Sequence, residues 1–464
     1  MKKKLVVTMV ALFVLALSFA MAPKKANAIP SFAQKYHFSC AVCHTVFPNL
    51  NPFGRAFWRN GFRLPGTNGT PADATQITEG LSLPNPWPIP VMVEPTISYQ
   101  HYTNENVSNS TDGFSAGIDL VYAGAFKLYT PLADSLSFYV HFGDSPLRQK
   151  QVVASINGIG SGLGLTPHLL NLKLGQVGTA SPYIDRQEQF YVNAGPTAGN
   201  IQNLSVGYDG EAAGLIHSRQ AGFALYGTPG YHLWYKVTVT NDTTGSSTAL
   251  QNSGDNGMAY SYQLKEYAPI PMGQLEFGYY GATVAEPLSA AGQGAWTNRI
   301  TVNGVDVDLA NDVYELGLAY MVQNDALPYG NTSVAATNIT DLNGNVVGNT
   351  HSSNGYSTFE AYGRYLFPTL LGKGVMFSAD YGVYSWTHSD LANATIGQST
   401  ATCSNNQLYG NAYPNTAICN EGIKDALDLQ AQINLAYNAH LYVGYVFTNI
   451  SEANTFGTGL DFAF

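Results

Sequence analysis

Cys40-Ala41-Val42-Cys43-His44 places two thiols three residues apart and an imidazole directly after the second. On one short helical turn this spacing lets both sulfurs reach the two vinyl groups of a haem and leaves the adjoining histidine facing the iron. The five residues therefore read as covalent c-type haem attachment, with Cys40 and Cys43 as the thioether residues and His44 as an axial ligand of the iron. A chance C-x-x-C forming a small disulfide or half a zinc site is the competing reading. No second Cys/His pair lies nearby to complete four zinc ligands.

Haem of this kind is attached outside the cytoplasm, and the chain begins accordingly. Lys2 to Lys4 form a basic start, residues 5 to 22 an apolar stretch, and Ala26-Asn27-Ala28 an A-x-A cleavage site. The apolar run approaches the ~18 residues of a membrane anchor, but the small residues at the cut favour a cleaved signal over residues 1–28. The mature chain would then start at Ile29, in a compartment where disulfides persist.

The elements that must position the motif follow from composition. Hydrophobic residues make up 45% of the chain, charged ones only 11%, and there are 30 Tyr and 22 Phe. A soluble enzyme would carry about 25% charged residues, and no later segment offers a long uncharged apolar run. Alternation is the dominant pattern instead. In residues 427 to 437, Leu427, Leu429, Ala431, Ile433, Leu435 and Tyr437 alternate with Asp428, Gln430, Gln432, Asn434 and Ala436. The same dyad recurs at 114–122 around Asp119, at 314–320 around Glu315, at 359–367 around Glu360 and Arg364, and at Leu170, Leu172 and Leu174. One face suits lipid and the other water, which predicts an all-β transmembrane barrel of about sixteen antiparallel strands, fourteen being the lower count. Leu460, Phe462 and the final Phe464 resemble the terminal strand of bacterial outer-membrane proteins.

These readings divide the chain into a signal peptide (1–28), a monohaem cytochrome c segment forming a small α-helical plug (29–80), a Pro-rich linker (81–92) and a porin-like barrel (93–464). A final strand ending in the periplasm makes the turn at Asn438-Ala439 periplasmic and residues 389–425 an extracellular loop. That loop holds Cys403 and Cys419, whose disulfide would stabilise it by roughly 3 kcal/mol in the chain-entropy model. Between residues 287 and 353 short and long connections stop alternating, and Asn303-Gly304 and Asn343-Gly344 read as hairpin turns. Charge separates the two parts: residues 29–92 carry Lys35, Arg55, Arg59 and Arg63 against Asp73 and Glu79, whereas residues 93–464 carry 12 basic against 29 acidic side chains. A basic plug in an acidic lumen is one reading, ordinary acidic porin loops another. Arg55, Arg59 and Arg63, at i, i+4 and i+8, could bond haem propionates or line a solvated helix face.

Ile29-Pro30-Ser31-Phe32-Ala33, the C-A-V-C-H motif, then Phe47-Pro48-Asn49-Leu50-Asn51-Pro52-Phe53-Gly54-Arg55 and Asn60-Gly61-Phe62 resemble the N-terminal cytochrome of the fused outer-membrane cytochrome-porins of Fe(II)-oxidising bacteria. The resemblance spans most of residues 29–66 and beyond that is one of architecture. It implies an outer-membrane protein with one covalent haem c, extracellular Fe(II) as electron donor and a periplasmic c-type cytochrome or other carrier as acceptor, in effect an iron:cytochrome c oxidoreductase embedded in outer-membrane lipid. For the sixth iron ligand Met92 is one candidate, being the only Met of residues 29–92; a thioether there raises a haem potential. His37 and His101 are its rivals, and an apolar packing role for Met92 is equally open. The alternative function is a diffusion porin whose haem-bearing plug serves as a gate or as a contact for another redox partner. Catalytic triads, phosphate loops and nucleic-acid patches are absent, so no catalytic residue and no nucleic-acid partner are expected.

Overall fold

The computed structural model describes residues 30–46, 49–64, 75–78, 81–83, 91–102, 113–130, 132–143, 148–166, 168–178, 219–241, 258–290, 294–326, 338–340, 346–349, 353–372, 374–388, 425–436, 439–448 and 454–462. The signal segment, most of the Pro-rich linker, Cys403 and Cys419, Asn343-Gly344 and Phe464 lie outside the described residues.

Sixteen antiparallel strands close on themselves. In chain order they are β1 (Met92–Tyr102), β2 (Gly113–Thr130), β3 (Ala133–Gly143), β4 (Arg148–Asn157), β5 (Asn171–Gly178), β6 (Arg219–Gly227), β7 (Leu233–Asn241) and β8 (Met258–Ile270). Then follow β9 (Gly273–Ala290), β10 (Gly294–Ala310), β11 (Tyr314–Asp325), β12 (Asn354–Phe367), β13 (Val375–His388), β14 (Asp425–Ala436), β15 (Ala439–Thr448) and β16 (Thr455–Phe462). Every strand pairs with its sequence neighbour, and β16 closes on β1 through pairs such as Leu460 with Ile97. Closure leaves no edge strand, which is what allows a sheet to cross lipid with all its backbone groups satisfied. No helix among the described residues is long and apolar enough to cross a membrane.

The alternation seen in the sequence is the in/out alternation of the wall. On β8 Tyr260, Tyr262 and Leu264 are exposed on the outside while Ser261, Gln263 and Lys265 are buried inside. On β14 Leu429 is exposed and Asp428, Gln430 and Gln432 are buried, as the dyad predicted. Strands separated by few residues, such as β8 and β9 (271–272) and β10 and β11 (311–313), follow one another at one end of the barrel, and strands far apart in the chain, such as β5 and β6 or β13 and β14, at the other.

The stretch where alternation of connection lengths failed is explained by β9 and β10, 18 and 17 residues long. They extend past their neighbours and only three residues separate them, so a short connection stands at the end where the long ones lie. Asn303-Gly304 is correspondingly no hairpin turn but the middle of β10. Asn303 accepts a hydrogen bond from the Tyr262 hydroxyl at 2.8 Å, and a Cβ on Gly304 would overlap the Tyr280 ring. The dipeptide that usually marks a type I′ turn here makes room for aromatic side chains across the sheet.

The N-terminal segment is less helical than expected for an α-helical plug. Its described part holds α1 (Pro30–Tyr36), a 3-10 turn at Cys40–Val42, a short hairpin of His44–Val46 with Asn49–Leu50, α2 (Pro52–Arg59) and a second small hairpin of Thr75–Thr78 with Leu81–Leu83. Pro48, Pro52 and Pro65 punctuate the chain at close intervals, and each lacks the N–H a helix interior needs.

Candidate cofactor site in the barrel lumen

The two thiols sit on the turn that their spacing demands. Cys43 N–H donates to Cys40 O at 3.1 Å, closing the 3-10 turn, and His44, buried, opens the hairpin by pairing with Leu50. What holds this turn is Asn51. Its backbone N–H donates to Cys43 O at 2.9 Å, and its side-chain amide donates to Val42 O at 3.1 Å and Ala41 O at 3.3 Å. The same side chain caps α2 by accepting from Gly54 N–H at 2.9 Å, with Pro52 at the first helical position where its missing N–H costs nothing. Gly54 packs so closely that a Cβ on it would overlap the Cys43 carbonyl oxygen. Asn51-Pro52-Phe53-Gly54 is thus a clamp on C-x-x-C-H. This clamp was missed from the sequence, because the carbonyls that the Asn51 amide meets are set by how the thiol-bearing turn folds back on α2.

Burial pushes the Cys43 thiol up to about 11, with Cys40 beside it adding to the effect, and raises Cys40 as well. Both are thiols rather than half-cystines. Neutral, partly sequestered sulfurs suit thioether bonding better than a thiolate metal site, and no group of three or more His, Cys, Asp or Glu that could hold a metal ion occurs among the described residues. Asn49, in the hairpin after His44, is buried with neither side-chain amide atom hydrogen-bonded. An orphaned amide is costly unless something polar completes it, and a haem carboxylate is such a group. The residues present fit a haem: two thiols on one turn, the adjoining buried imidazole, and an amide awaiting a partner.

The segment is fastened to the wall at the short-turn end of the lumen. Arg55, fully buried, donates to Asp308 on β10 at 2.9 Å and Glu315 on β11 at 2.8 Å, and lies 3.6 Å from Glu276 on β9. Arg59 pairs with Glu276 at 3.1 Å, donates to the Tyr267 hydroxyl at 2.7 Å and stacks over the Tyr267 and Trp234 rings. Arg63 donates to Asn171 at 2.8 Å and, with Asn60, ties the segment's end to β5 and to His168. All three arginines are buried and reach the barrel wall rather than lining a solvated helix face, and the basic-segment, acidic-lumen reading is the one the geometry follows. Sequence reasoning missed their partners because Glu276, Asp308 and Glu315 lie over 200 residues away in the chain.

On its other side the segment packs an aromatic cluster against β2 and β3. Phe32 stacks on Phe62 at 4.8 Å and meets Phe57 edge-on at 5.1 Å, while Trp58 abuts Tyr139 at 5.2 Å. Lys35 donates to the Ala125 carbonyl at 3.1 Å. Met92, the first residue of β1, is buried within this cluster beside Phe32, Phe57 and Phe62. Of the rival histidines, His37 follows α1 in an exposed left-handed conformation and His101 is exposed near the far end of β1.

With this geometry in hand, the chain can be set beside known proteins. No protein-family model matches it, and no curated protein sequence does. Among solved structures it is similar to OmpF of Salmonella typhi in a complex with daunomycin, with a TM-score of 0.50 and 10% identity over 81% of this chain and 97% of that one. The fold is porin-like. OmpT of Vibrio cholerae with loop L8 deleted is also similar, at a TM-score of 0.48 and 11% identity over 81% of this chain and 98% of that one. At such identities the likeness concerns the fold alone, a closed sixteen-stranded barrel of the porin type.

Proposed function

We propose that this protein is a porin-type barrel converted into an electron conduit, its lumen occupied by a fixed segment that carries one haem c. The observation that carries the proposal is Arg55, a fully buried cation of the C-x-x-C-H segment held by carboxylates from three barrel strands. A segment meant to swing aside as a gate would have to strip that cation from its partners at each opening, whereas a conduit gains from a fixed position.

Bound haem supplies one-electron redox chemistry. Cys40 and Cys43 would hold it by thioether bonds and His44 would supply an axial imidazole. Asn51 keeps the turn from relaxing, Asn49 offers an amide to a haem carboxylate, and Arg55 and Arg59 set the depth of the segment in the barrel. Met92 is a candidate sixth ligand by sequence, but its place in the aromatic cluster favours the packing role. Following the resemblance at residues 29–66, the donor is extracellular Fe(II) and the acceptor a periplasmic c-type cytochrome, so that electrons cross the membrane while iron stays outside. The iron assignment rests on that motif resemblance alone.

A second reading is favoured by the likeness to OmpF: a diffusion porin in which the haem-bearing segment is a gate or a contact for another redox partner. The comparisons weigh on this side, since they concern porins only. Single-channel recording with redox spectroscopy on the same preparation separates the two. The conduit has low conductance that is insensitive to haem redox state; a gated porin opens to porin-like conductance as the haem is reduced or oxidised.

A further inference from the structure

On the outside of the barrel one stretch of wall is hollow. Gly363 on β12 faces Ala379 on β13 across the sheet, and Ala431 on β14 stands opposite Phe377, so three small residues fall together on the outward face. Leu316, Tyr365, Phe377 and Leu429 stand exposed around them. The result is an apolar trough of about 1000 Å³ that reaches from Leu316 on β11 to Phe456 on β16. Six strands at about 4.8 Å spacing make it about 24 Å long and about 40 Å² in section. It lies near the short-turn end: Tyr314, the first residue of β11, lines it, and the Tyr314 hydroxyl donates to the Met272 carbonyl of turn 271–272 at 2.7 Å.

We propose that this trough seats one phospholipid, its two acyl chains side by side and its polar head at the rim beside Met272. A hollow between bulky side chains forfeits the dispersion contacts that a filled one makes. The trough is continuous with the exposed apolar face of the wall, so what fills it is what bathes that face. Its length fits, since an acyl chain crosses one leaflet, about 15 Å or half of the hydrocarbon core. Its section sets the class of lipid: a single chain would leave the trough partly empty, and a pair would not. A volume of this size stands at the upper end of pockets that hold one small molecule. A second copy of the barrel fits worse, because an isologous contact sets the same patch against itself, hollow over hollow. The inference rests on the outer wall meeting lipid and needs no haem, so it and the conduit reading fail separately.

The test uses full-length protein in detergent, washed free of lipid, exposed to dipalmitoyl phosphatidylethanolamine or to its single-chain lyso form, sized to remove the excess and weighed by native mass spectrometry. Wild type is expected to keep one two-chain lipid per protein and none of the lyso form. Ala379→Leu and Ala431→Leu, which fill the trough from its floor, should each lose that lipid. Ala221→Leu, at an exposed position of β6 across the barrel, should retain it. Retention of the heat-modifiable barrel form on gels shows that the variants fold. A wild type that keeps no lipid, or that keeps the lyso form equally well, overturns the proposal. So does retention that is undiminished in both Ala379→Leu and Ala431→Leu, and so does a wild-type oligomer that those two substitutions break into monomers.

Discussion

Replacing Arg55 with Met keeps the length and much of the apolar volume of the side chain while deleting the charge that fastens the segment to the barrel. Glu276, Asp308 and Glu315 would then face one another in the space the guanidinium filled. Removing one partner of a buried ion pair costs about 3–5 kcal/mol, because what remains is uncompensated charge. At 1.4 kcal/mol per decade this is roughly a 140- to 3700-fold shift toward the unseated segment. The aromatic cluster around Phe32, Phe57 and Phe62 still opposes release, so the expected result is intermittent opening rather than loss of the segment. In planar bilayers Arg55→Met should show brief porin-sized openings absent from wild type, and limited proteolysis should nick residues 30–64 far faster. The combination of Arg55→Met with Glu276→Gln, Asp308→Asn and Glu315→Gln should recover much of the closure, since the repelling charges are gone as well. If Arg55→Met is as closed and protease-resistant as wild type, or if neutralising the three acids does not help, the electrostatic account of the anchorage fails.

Other outcomes follow from the same geometry. Asn51→Ala removes both the cap of α2 and two bonds to the C-x-x-C turn; a lost cap alone costs about 1 kcal/mol, and covalent haem measured by pyridine haemochrome after acid-acetone extraction should fall. Gly54→Ala should lower it further, since its Cβ cannot coexist with the Cys43 carbonyl where it stands; undiminished haem would show that α2 is free to shift. In protein made without haem attachment, Cys43 with its thiol raised to about 11 gives little thiolate at pH 8, and its alkylation should rise only as pH climbs toward 11. Relative to an unshifted thiol near pKa 9 the low-pH rate is about 100-fold lower, and equal labelling of native and denatured chains at pH 8 would contradict the burial. Met92→Leu preserves the apolar volume at the aromatic cluster and should leave the near-infrared charge-transfer region of the ferric haem unchanged; loss of a band there would place the Met92 thioether on the iron.

The sequence carried the barrel because lipid on one side and a polar lumen on the other force period-two alternation, and residues 427–437 display it without structure. Strand number was harder. β9 and β10 are more than twice as long as β5, so connection length stopped marking sidedness, and Asn303-Gly304 mimicked a turn while serving the packing of Tyr262 and Tyr280. The chemistry of the candidate site was legible in Cys40, Cys43 and His44 because attachment geometry is local. Its anchorage was not: the i, i+4, i+8 spacing of Arg55, Arg59 and Arg63 shows a shared helix face but not what lies opposite. Charge totals of the two halves hinted at the answer, and only the register of β9, β10 and β11 places Glu276, Asp308 and Glu315 where those arginines arrive. Cys403 and Cys419 belong to a long connection outside the described residues, and their pairing stays an expectation from sequence.

The central claim, a barrel that passes electrons while its segment blocks ions, is tested most directly in liposomes holding an oxidised cytochrome c. With full-length protein inserted and Fe(II) added outside, the trapped cytochrome should become reduced while an iron chelator trapped beside it registers none; deleting residues 29–92 should end the reduction and let iron in. Free entry of iron through the intact protein, with the trapped cytochrome left oxidised once that iron is chelated, would contradict the account and leave a diffusion porin with a haem-bearing segment.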